Sequence, residues 1–267
     1  MVMHPIEHLR YVARSSGGDQ RTLVRETASA MRSMAFDPSA LVVACRRITE
    51  RHPTSGPLWW LCSSVLASPD PIATAVRLAN ELVDDTTPDT LVDALPEDAT
   101  VCVIGWPDLA GDAVLRRGDI TVLVVDADDE GSSFVRMLQR NDVECEVVSA
   151  AGLAGAVVSS DVVLVEAFAA AGDEFLAAAG SRAAASVGYC SDVPVWGVVG
   201  LGRCLPQQLF TNMTARVYDR RQPWDAGVDV VPLGLLGTVA RPSGLVAAEP
   251  FVAECPLATE LLHSSPM

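Results

Sequence analysis

The spacing of hydrophobic residues changes from a helical to a strand-like pattern near residue 95. Before that point, apolar residues recur every three or four positions, which is typical of amphipathic helices. The apolar stripes are Leu41, Ala44, Cys45 and Ile48; Leu58, Leu61, Cys62, Val65 and Leu66; and Ile72, Ala75, Val76, Ala79, Leu82 and Val83. Asp37-Pro38 and Asp70-Pro71 predict helix starts, because Asp caps free N–H groups and Pro is tolerated in the first turn. We therefore expect an N-terminal helical domain over residues 1–95.

Beyond residue 95 the apolar runs are short, continuous and rich in Val, as in strands that are covered on both faces. Helical stretches separate these runs, which predicts βαβ units and a parallel sheet. The predicted strands are 101–104, 120–125, 145–148, 162–165, 193–199 and, with a weaker signal, 228–231. The sequence therefore predicts an α/β protein. A small helical domain precedes a Rossmann-like, mostly parallel sheet with helices on both faces over residues 96–267, which include a C-terminal tail.

Charge and residue usage exclude several classes of function. The formal net charge of −15 argues against non-specific binding to nucleic acid or to anionic membranes. All 19 basic residues are Arg, so neither a Schiff-base lysine nor the lysine of a nucleotide-binding P-loop exists. The N-terminal residues carry charges where a signal peptide needs an apolar stretch, and no segment qualifies as a membrane span. These features predict a cytoplasmic protein.

The seven Cys residues predict neither a disulfide framework nor a metal site. They are widely spaced, their number is odd, and no CxxC motif occurs. Most of them lie in apolar runs, where a thiol behaves as a small buried hydrophobe of a reduced protein. We therefore expect no metal and no cofactor.

Candidate chemistry lies after the predicted strands, because ligands of doubly wound sheets bind beyond the carboxyl ends of the strands. Asp126 and Glu166 are the candidate catalytic residues, each at the end of a strand. The candidate ligand-binding residues are Gly17, Gly18, Arg51, Gly105, Trp106, Gly202 and Arg203. Gly17 and Gly18 precede a predicted helix, where glycine backbone can bind phosphate.

Each of these candidates also has a plainer interpretation. The acidic cluster 126–130 can hold Mg²⁺ or supply an acid/base pair, but its carboxylates more simply cap the helix that begins near Gly131. Glu166 is either a general acid or base or the exposed end of a strand, and the sequence leaves both open. Gly17 and Gly18 are more simply explained by a flexible connection, because the segment has neither a full P-loop nor a GxGxxG pattern.

Several segments together resemble a family that contains the regulatory subunits of translation initiation factor two B and sugar-phosphate isomerases. The segments that carry the resemblance are VRETASAM (24–31), HPTSGPLWWLCSSVL (52–66), VVLVEAFAAAGDEFLAAAGS (162–181), VPVWGVVGLGRCLP (193–206) and VVPLGLLGTVARPSGLVAAE (230–249). The resemblance, which is that of a divergent bacterial member, implies a homodimer. It also implies a ligand site between the helical domain and the carboxyl ends of the strands.

The chain departs from the family at the residues that the isomerases use. Those enzymes carry a Cys after the first core strand, but residues 104–106 contain none, and Cys102 lies within the predicted strand. Their catalytic Asp is replaced, and Glu166 is the residue that could substitute for it. An Arg-containing segment after the second strand has become acidic at 126–129, so that Arg203 and Arg51 are left as candidates for holding phosphate.

Three hypotheses follow from the resemblance and its departures. The first is a non-catalytic or repurposed protein that binds a small phosphorylated metabolite or nucleotide as a homodimer. The second is an active aldose-ketose isomerase that uses Glu166 and Asp126 for proton transfer on a sugar phosphate. The third is an interaction protein without a small ligand, whose apolar tail forms a dimer surface.

Overall fold

The computed structural model describes residues 19–31, 37–126, 130–219 and 222–263. Contacts within the chain divide it into two compact units. The helical unit comprises the described residues of Met1–Asp85, Leu201–Arg220 and Val252–Met267, and the sheet unit comprises those of Thr86–Gly200 and Arg221–Phe251. Two later segments of the chain thus belong to the helical unit together with its N-terminal residues.

The helical unit contains the predicted N-terminal helices and one later helix. The helices are α1 (Gln20–Met31), α2 (Pro38–Arg51), α3 (Gly56–Leu66), α4 (Pro71–Val83) and α10 (Gln207–Tyr218). Asp37 accepts hydrogen bonds from the backbone N–H groups of Ser39 and Ala40, at 2.9 and 3.2 Å, and thereby caps α2. Asp70 accepts one from the N–H of Ala73 at 3.0 Å and caps α4. Both predicted helix starts are confirmed.

The last described residues of the helical unit are fixed by side chains of its helices. Ser63 donates to the carbonyl of Pro256 and accepts from the N–H of Ala258. Arg216 donates to the carbonyl of Leu261 at 2.7 Å, and its guanidinium lies 4.9 Å from the ring centre of Trp59. The C-terminal segment is therefore an integral part of this unit.

The sheet unit alternates helices and strands, as the sequence predicts. Its elements are α5 (Thr87–Ala94), β1 (Thr100–Ile104), α6 (Leu109–Arg116), β2 (Thr121–Asp126), α7 (Gly131–Arg140), β3 (Glu144–Ser149), α8 (Leu153–Val158), β4 (Val162–Ala171), β5 (Glu174–Ala178), α9 (Ser181–Cys190), β6 (Val195–Val198), β7 (Val228–Pro232), β8 (Thr238–Arg241) and β9 (Gly244–Ala247). The main sheet has the order β3-β2-β1-β4-β6-β8-β9, and all neighbours are parallel except β8 and β9. The predicted α/β fold is confirmed.

Helices cover both faces of this sheet. Side chains of α5, α6 and α7 share one core with alternate residues of β1, β2 and β4, including Val103, Val124 and Leu164. Trp196 of β6 packs against the same core, so its neighbour Val195 points to the opposite face. There α9 approaches closely, because a Cβ added to Gly188 would lie 2.4 Å from Val195 Cγ2. Burial on both faces explains why the strands have continuous apolar sequences.

The structure contains two hairpins that the sequence analysis does not predict. After leaving the main sheet, β4 continues as far as Ala171 and pairs antiparallel with β5, which in turn pairs with β7. The sequence of this hairpin is rich in Ala, which favours helices, so tertiary pairing overrides its local preference. The second hairpin joins β8 and β9 through a two-residue turn, Pro242-Ser243.

None of the helices in the described ranges is long and apolar enough to cross a membrane.

Removal of the Asp70 cap tests the local origin of α4. Asp70→Ala leaves a helix N-terminal N–H without its acceptor, so we expect the free energy of unfolding in urea to fall by about 1 kcal/mol. Asp70→Asn retains a side-chain acceptor and serves as the control, with an expected change of a few tenths of that size. Equal losses for both variants would show that charge, not capping, is what Asp70 contributes.

Candidate functional site

The sheet reverses its strand order between β1 and β4, and this is where open α/β sheets place their ligands. β1 ends at Ile104 and is followed by Gly105, which has a φ of +64°, and by Trp106. The parallel part of β4 ends at Glu166, which pairs with Val198 of β6. The candidates Gly105, Trp106 and Glu166 therefore lie at one edge of the sheet.

Glu166 binds the N-terminus of α6. Its Oε2 accepts a hydrogen bond from the N–H of Ala110 at 2.9 Å, and its Oε1 accepts one from the N–H of Asp108 at 3.2 Å. A carboxylate is favoured there, because the first N–H groups of a helix have no partner within the helix and carry partial positive charge. Glu166 thus occupies the position at which this helix would hold an external anion.

Asp126 does the same at the N-terminus of α7. Its carboxylate accepts from the N–H of Gly131 at 3.0 Å, from the N–H of Ser132 at 3.1 Å and from the hydroxyl of Ser132 at 2.8 Å. Gly131 permits this approach, because a Cβ on that residue would lie 2.9 Å from Asp126 Cα. Capping, the simpler interpretation from the sequence, is what the geometry of Asp126 shows.

The two candidate catalytic carboxylates are separated by a strand. β2, which ends at Asp126, and β4, which carries Glu166, lie on opposite sides of β1. Neighbouring strands are about 4.8 Å apart, so the backbones of β2 and β4 are roughly 9.5 Å apart. Each carboxylate is hydrogen-bonded to the N-terminus of a different helix. Proton transfer at either group would weaken the bonds that hold its helix.

Trp106 packs against α7 and is partly exposed. The ring centre lies 5.8 Å from that of Phe134, a fully buried residue of α7, and the Trp106 side chain is 38% exposed. An exposed indole at the ligand-binding edge of a sheet can stack on a planar or apolar group. It supplies no acid, base or nucleophile.

The edge carries no reactive thiol. Cys102 lies within β1 and is fully buried, and burial raises the pKa of its thiol to about 12. A thiol with that pKa remains protonated near neutral pH, so it is neither a nucleophile nor a base there. Gly105 and Trp106 occupy the positions directly after the strand.

The remaining described candidates belong to the helical unit. Arg51 is an exposed residue at the end of α2, and the side chain of Arg203 is buried at 3% exposure. Gly202 has a φ of +74° and packs against Trp60, whose Cε3 would lie 2.9 Å from an added Cβ. Gly17 and Gly18, together with Asp128 and Asp129 of the acidic cluster, lie outside the described residues.

Carboxylates also bind the backbone of the loop at Leu201-Gly202 in the helical unit, called the glycine loop below. The N–H of Leu201 donates to Asp85 Oδ2 at 2.9 Å, and the N–H of Gly202 donates to Glu254 Oε2 at 2.7 Å. The sequence predicts Gly202 as a ligand-binding residue but gives no sign of these two partners. Asp85 lies 116 residues and Glu254 lies 52 residues from the amide that each one binds, and neither belongs to a local motif.

The helical unit also contains a cleft of about 470 Å³ between α3, α4 and the segments around Leu201 and Glu254. Its lining includes Arg77, which forms an ion pair with Glu81 at 2.6 Å. Two carboxylates, those of Glu81 and Glu254, line the cleft beside the single guanidinium of Arg77. Because negative charge exceeds positive charge in this lining, the cleft does not favour a dianion. Within the described ranges, no group of three or more His, Cys, Asp or Glu residues is arranged to hold a metal ion.

Comparison with solved structures identifies the fold. The translation initiation factor eIF-2B of Pyrococcus horikoshii superposes with a TM-score of 0.76 at 13% identity, over 92% of this chain and 98% of that one. The tetrameric eIF2B-beta2-delta2 complex of C. thermophilum matches with a TM-score of 0.67 at 13% identity, over 91% and 90% of the two chains. The 5-methylthioribose 1-phosphate isomerase of Pyrococcus horikoshii matches with a TM-score of 0.66 at 14% identity, over 91% and 84%.

No protein-family model and no curated protein matches the chain by sequence.

Thiol labelling tests the burial of Cys102. A chromogenic disulfide reagent should modify Cys190 first in the native protein, because this residue is exposed. Cys145, which is partly buried and has a raised pKa, should react more slowly, and Cys102 should react only after unfolding. Cys190→Ser should remove the fast phase. Fast labelling of Cys102 in the native protein, located by peptide mass spectrometry, would contradict this account of the edge.

The match to these three structures extends over nearly the whole length of each chain, so this chain has the fold of the initiation factor 2B subunits and of 5-methylthioribose 1-phosphate isomerase.

Proposed function

We propose that this chain is a non-catalytic protein with the initiation factor 2B fold, which acts by associating with protein chains and does not isomerise sugar phosphates. The observation that carries the proposal is the position of Glu166. Its carboxylate accepts the N–H groups of Asp108 and Ala110 at the point where the strand order reverses. That is where phosphate would bind in a doubly wound sheet.

Electrostatics opposes a phosphate at this edge. Glu166 and Asp126 supply negative charge at two successive helix N-termini, and two like charges 4 Å apart repel by about 4 kcal/mol at an effective dielectric constant of 20. The two predicted phosphate-binding residues, Arg51 and Arg203, do not belong to the sheet unit. A dianion would have to displace Glu166 to reach the amides.

The carboxyl edge of the sheet also lacks the groups that aldose-ketose isomerisation needs. Proton transfer between adjacent carbons needs an acid or base that is free to act on the substrate. At this edge the thiol of Cys102 is buried with a pKa of about 12, and both candidate carboxylates cap helices. The isomerase hypothesis therefore has less support than the non-catalytic one.

Association with protein chains has support from the structural neighbours. One of them is a tetrameric complex of two kinds of subunit, and its chains share this fold. A homodimer is accordingly part of the proposal. The small phosphorylated metabolite or nucleotide that the sequence predicts stays a prediction, because neither the sheet edge nor the cleft in the helical unit favours a dianion.

A direct assay tests the absence of isomerase activity. The purified chain is incubated with 5-methylthioribose 1-phosphate, and the ketose product is followed by NMR, with an active 5-methylthioribose 1-phosphate isomerase as the positive control. We expect no product above the rate without protein. Turnover by the wild type that is abolished in Glu166→Gln would overturn the proposal and establish Glu166 as a catalytic residue.

Phosphate rescue tests the role of Glu166 as an internal anion. Glu166→Ala should lower the free energy of unfolding by about 1 kcal/mol, because the N-terminus of α6 loses its cap. Inorganic phosphate should then raise the melting temperature of this variant by mass action, but not that of the wild type.

Asp161→Ala is the matched control for phosphate rescue. Asp161 accepts from the N–H of Thr100 at 2.8 Å, but this amide begins a strand and has no helix behind it. We expect Asp161→Ala to lose stability without any response to phosphate. A response of the wild type equal to that of Glu166→Ala would show that phosphate binds without displacing Glu166, and would contradict the proposal.

A further inference from the structure

The two ends of the main sheet differ in how they are protected. At one end, β3 carries Glu144 and Glu146, and both are exposed. At the other end, β9 exposes Leu245 and Val246, at 36% and 38%, and contains no charged residue. Charged side chains on an edge strand prevent another chain from pairing with it. The β3 edge has this protection, and the β9 edge lacks it.

The register of the β8–β9 hairpin shows which main-chain groups of β9 face outward. Arg241 pairs with Gly244 across the two-residue turn, and Val239 pairs with Val246. In a two-residue hairpin the pair next to the turn exchanges hydrogen bonds, and such pairs alternate along the ladder. Gly244 and Val246 therefore bond to β8, whereas Leu245 and Ala247 direct their N–H and C=O groups away from the sheet.

Helix α5 holds this hairpin in a defined position. Thr90 Oγ1 donates to the carbonyl of Arg241 at 2.9 Å, and Thr86 Oγ1 donates to the carbonyl of Pro242 at 3.1 Å. Both bonds lie within the sheet unit. The open edge is thus pre-organised, which lowers the entropy that a pairing partner must overcome.

We infer that β9 is a self-association surface, on which the β9 strand of a second copy of this chain pairs antiparallel. A two-fold axis at Val246 places Leu245 opposite Ala247 of the second copy and Ala247 opposite its Leu245. Each of these two pairs exchanges two main-chain hydrogen bonds, so every outward group of both residues is satisfied. The same axis sets the two Val246 side chains opposite each other.

Charge favours a second copy at this edge. Two chains with a net charge of −15 repel each other, and the contact least affected is one without acidic residues. No Asp or Glu occurs from residue 230 through residue 248.

The short strand sets the strength of this association. Stable interfaces bury at least about 1,000 Å² in total, and a single four-residue strand pair contributes only part of that area. Strand addition derives its affinity mainly from main-chain hydrogen bonds. We therefore expect monomer and dimer to be in an equilibrium that depends on protein concentration. A charge added at Val246 should lower the affinity of the dimer.

Sedimentation equilibrium of matched variants tests this surface. Val246→Lys places two like charges opposite each other on the two-fold axis, so we expect dimerisation at least about tenfold weaker than in the wild type. Val147→Lys is the control, because Val147 lies on the β3 edge and is similarly exposed, at 43%. It should dimerise like the wild type, and circular dichroism should show that both variants are folded. A wild type that is monomeric throughout, or equal dimerisation of all three proteins, would overturn the inference.

The inference rests on the homodimer that is part of the proposed function. In the sedimentation experiment a wild type that is monomeric throughout overturns both, whereas equal dimerisation of all three proteins overturns only the β9 surface.

Discussion

The hydrogen bond between a side-chain carboxylate and backbone N–H groups is the interaction on which this structure depends. Glu166 and Asp126 each cap a helix that begins at the carboxyl edge of the sheet, and Asp85 and Glu254 bind the glycine loop of the helical unit. Hydrogen bonds to a charged group contribute more to stability than those between neutral groups. A strongly acidic chain has such groups in excess, and here they satisfy the amides that loops and helix starts leave open.

These bonds also bear on the proposed function, because a fold alone does not determine what a protein does. A doubly wound sheet provides helix N-termini for anions at its carboxyl edge, whatever the protein does with them. In this chain the carboxylate of Glu166 accepts hydrogen bonds from the N–H groups of Asp108 and Ala110, which an external anion would otherwise bind. The net charge of −15 also opposes contact between copies. The acid-free strand β9 is consequently the natural place for a second chain.

What could be predicted from the sequence was local. The Asp-Pro helix starts and the Val-rich strands depend on neighbouring residues, so their patterns survive folding, and the cap at Asp126 lies only five residues from Gly131. The hairpin of β4 and β5 was not predicted, because Ala favours helices and only pairing with β7 makes the segment a strand. The amides that Glu166 binds lie 56 and 58 residues away in the sequence. Its place at the end of a strand could therefore be predicted, but its role as a helix cap could not.

The most direct test of the central claim is a crystal structure of the protein grown with a high concentration of inorganic phosphate. The account predicts that both oxygens of Glu166 remain on the N–H groups of Asp108 and Ala110, and that no phosphate lies at the N-terminus of α6. A phosphate bound to those two amides, with the Glu166 side chain turned away from them, would contradict it.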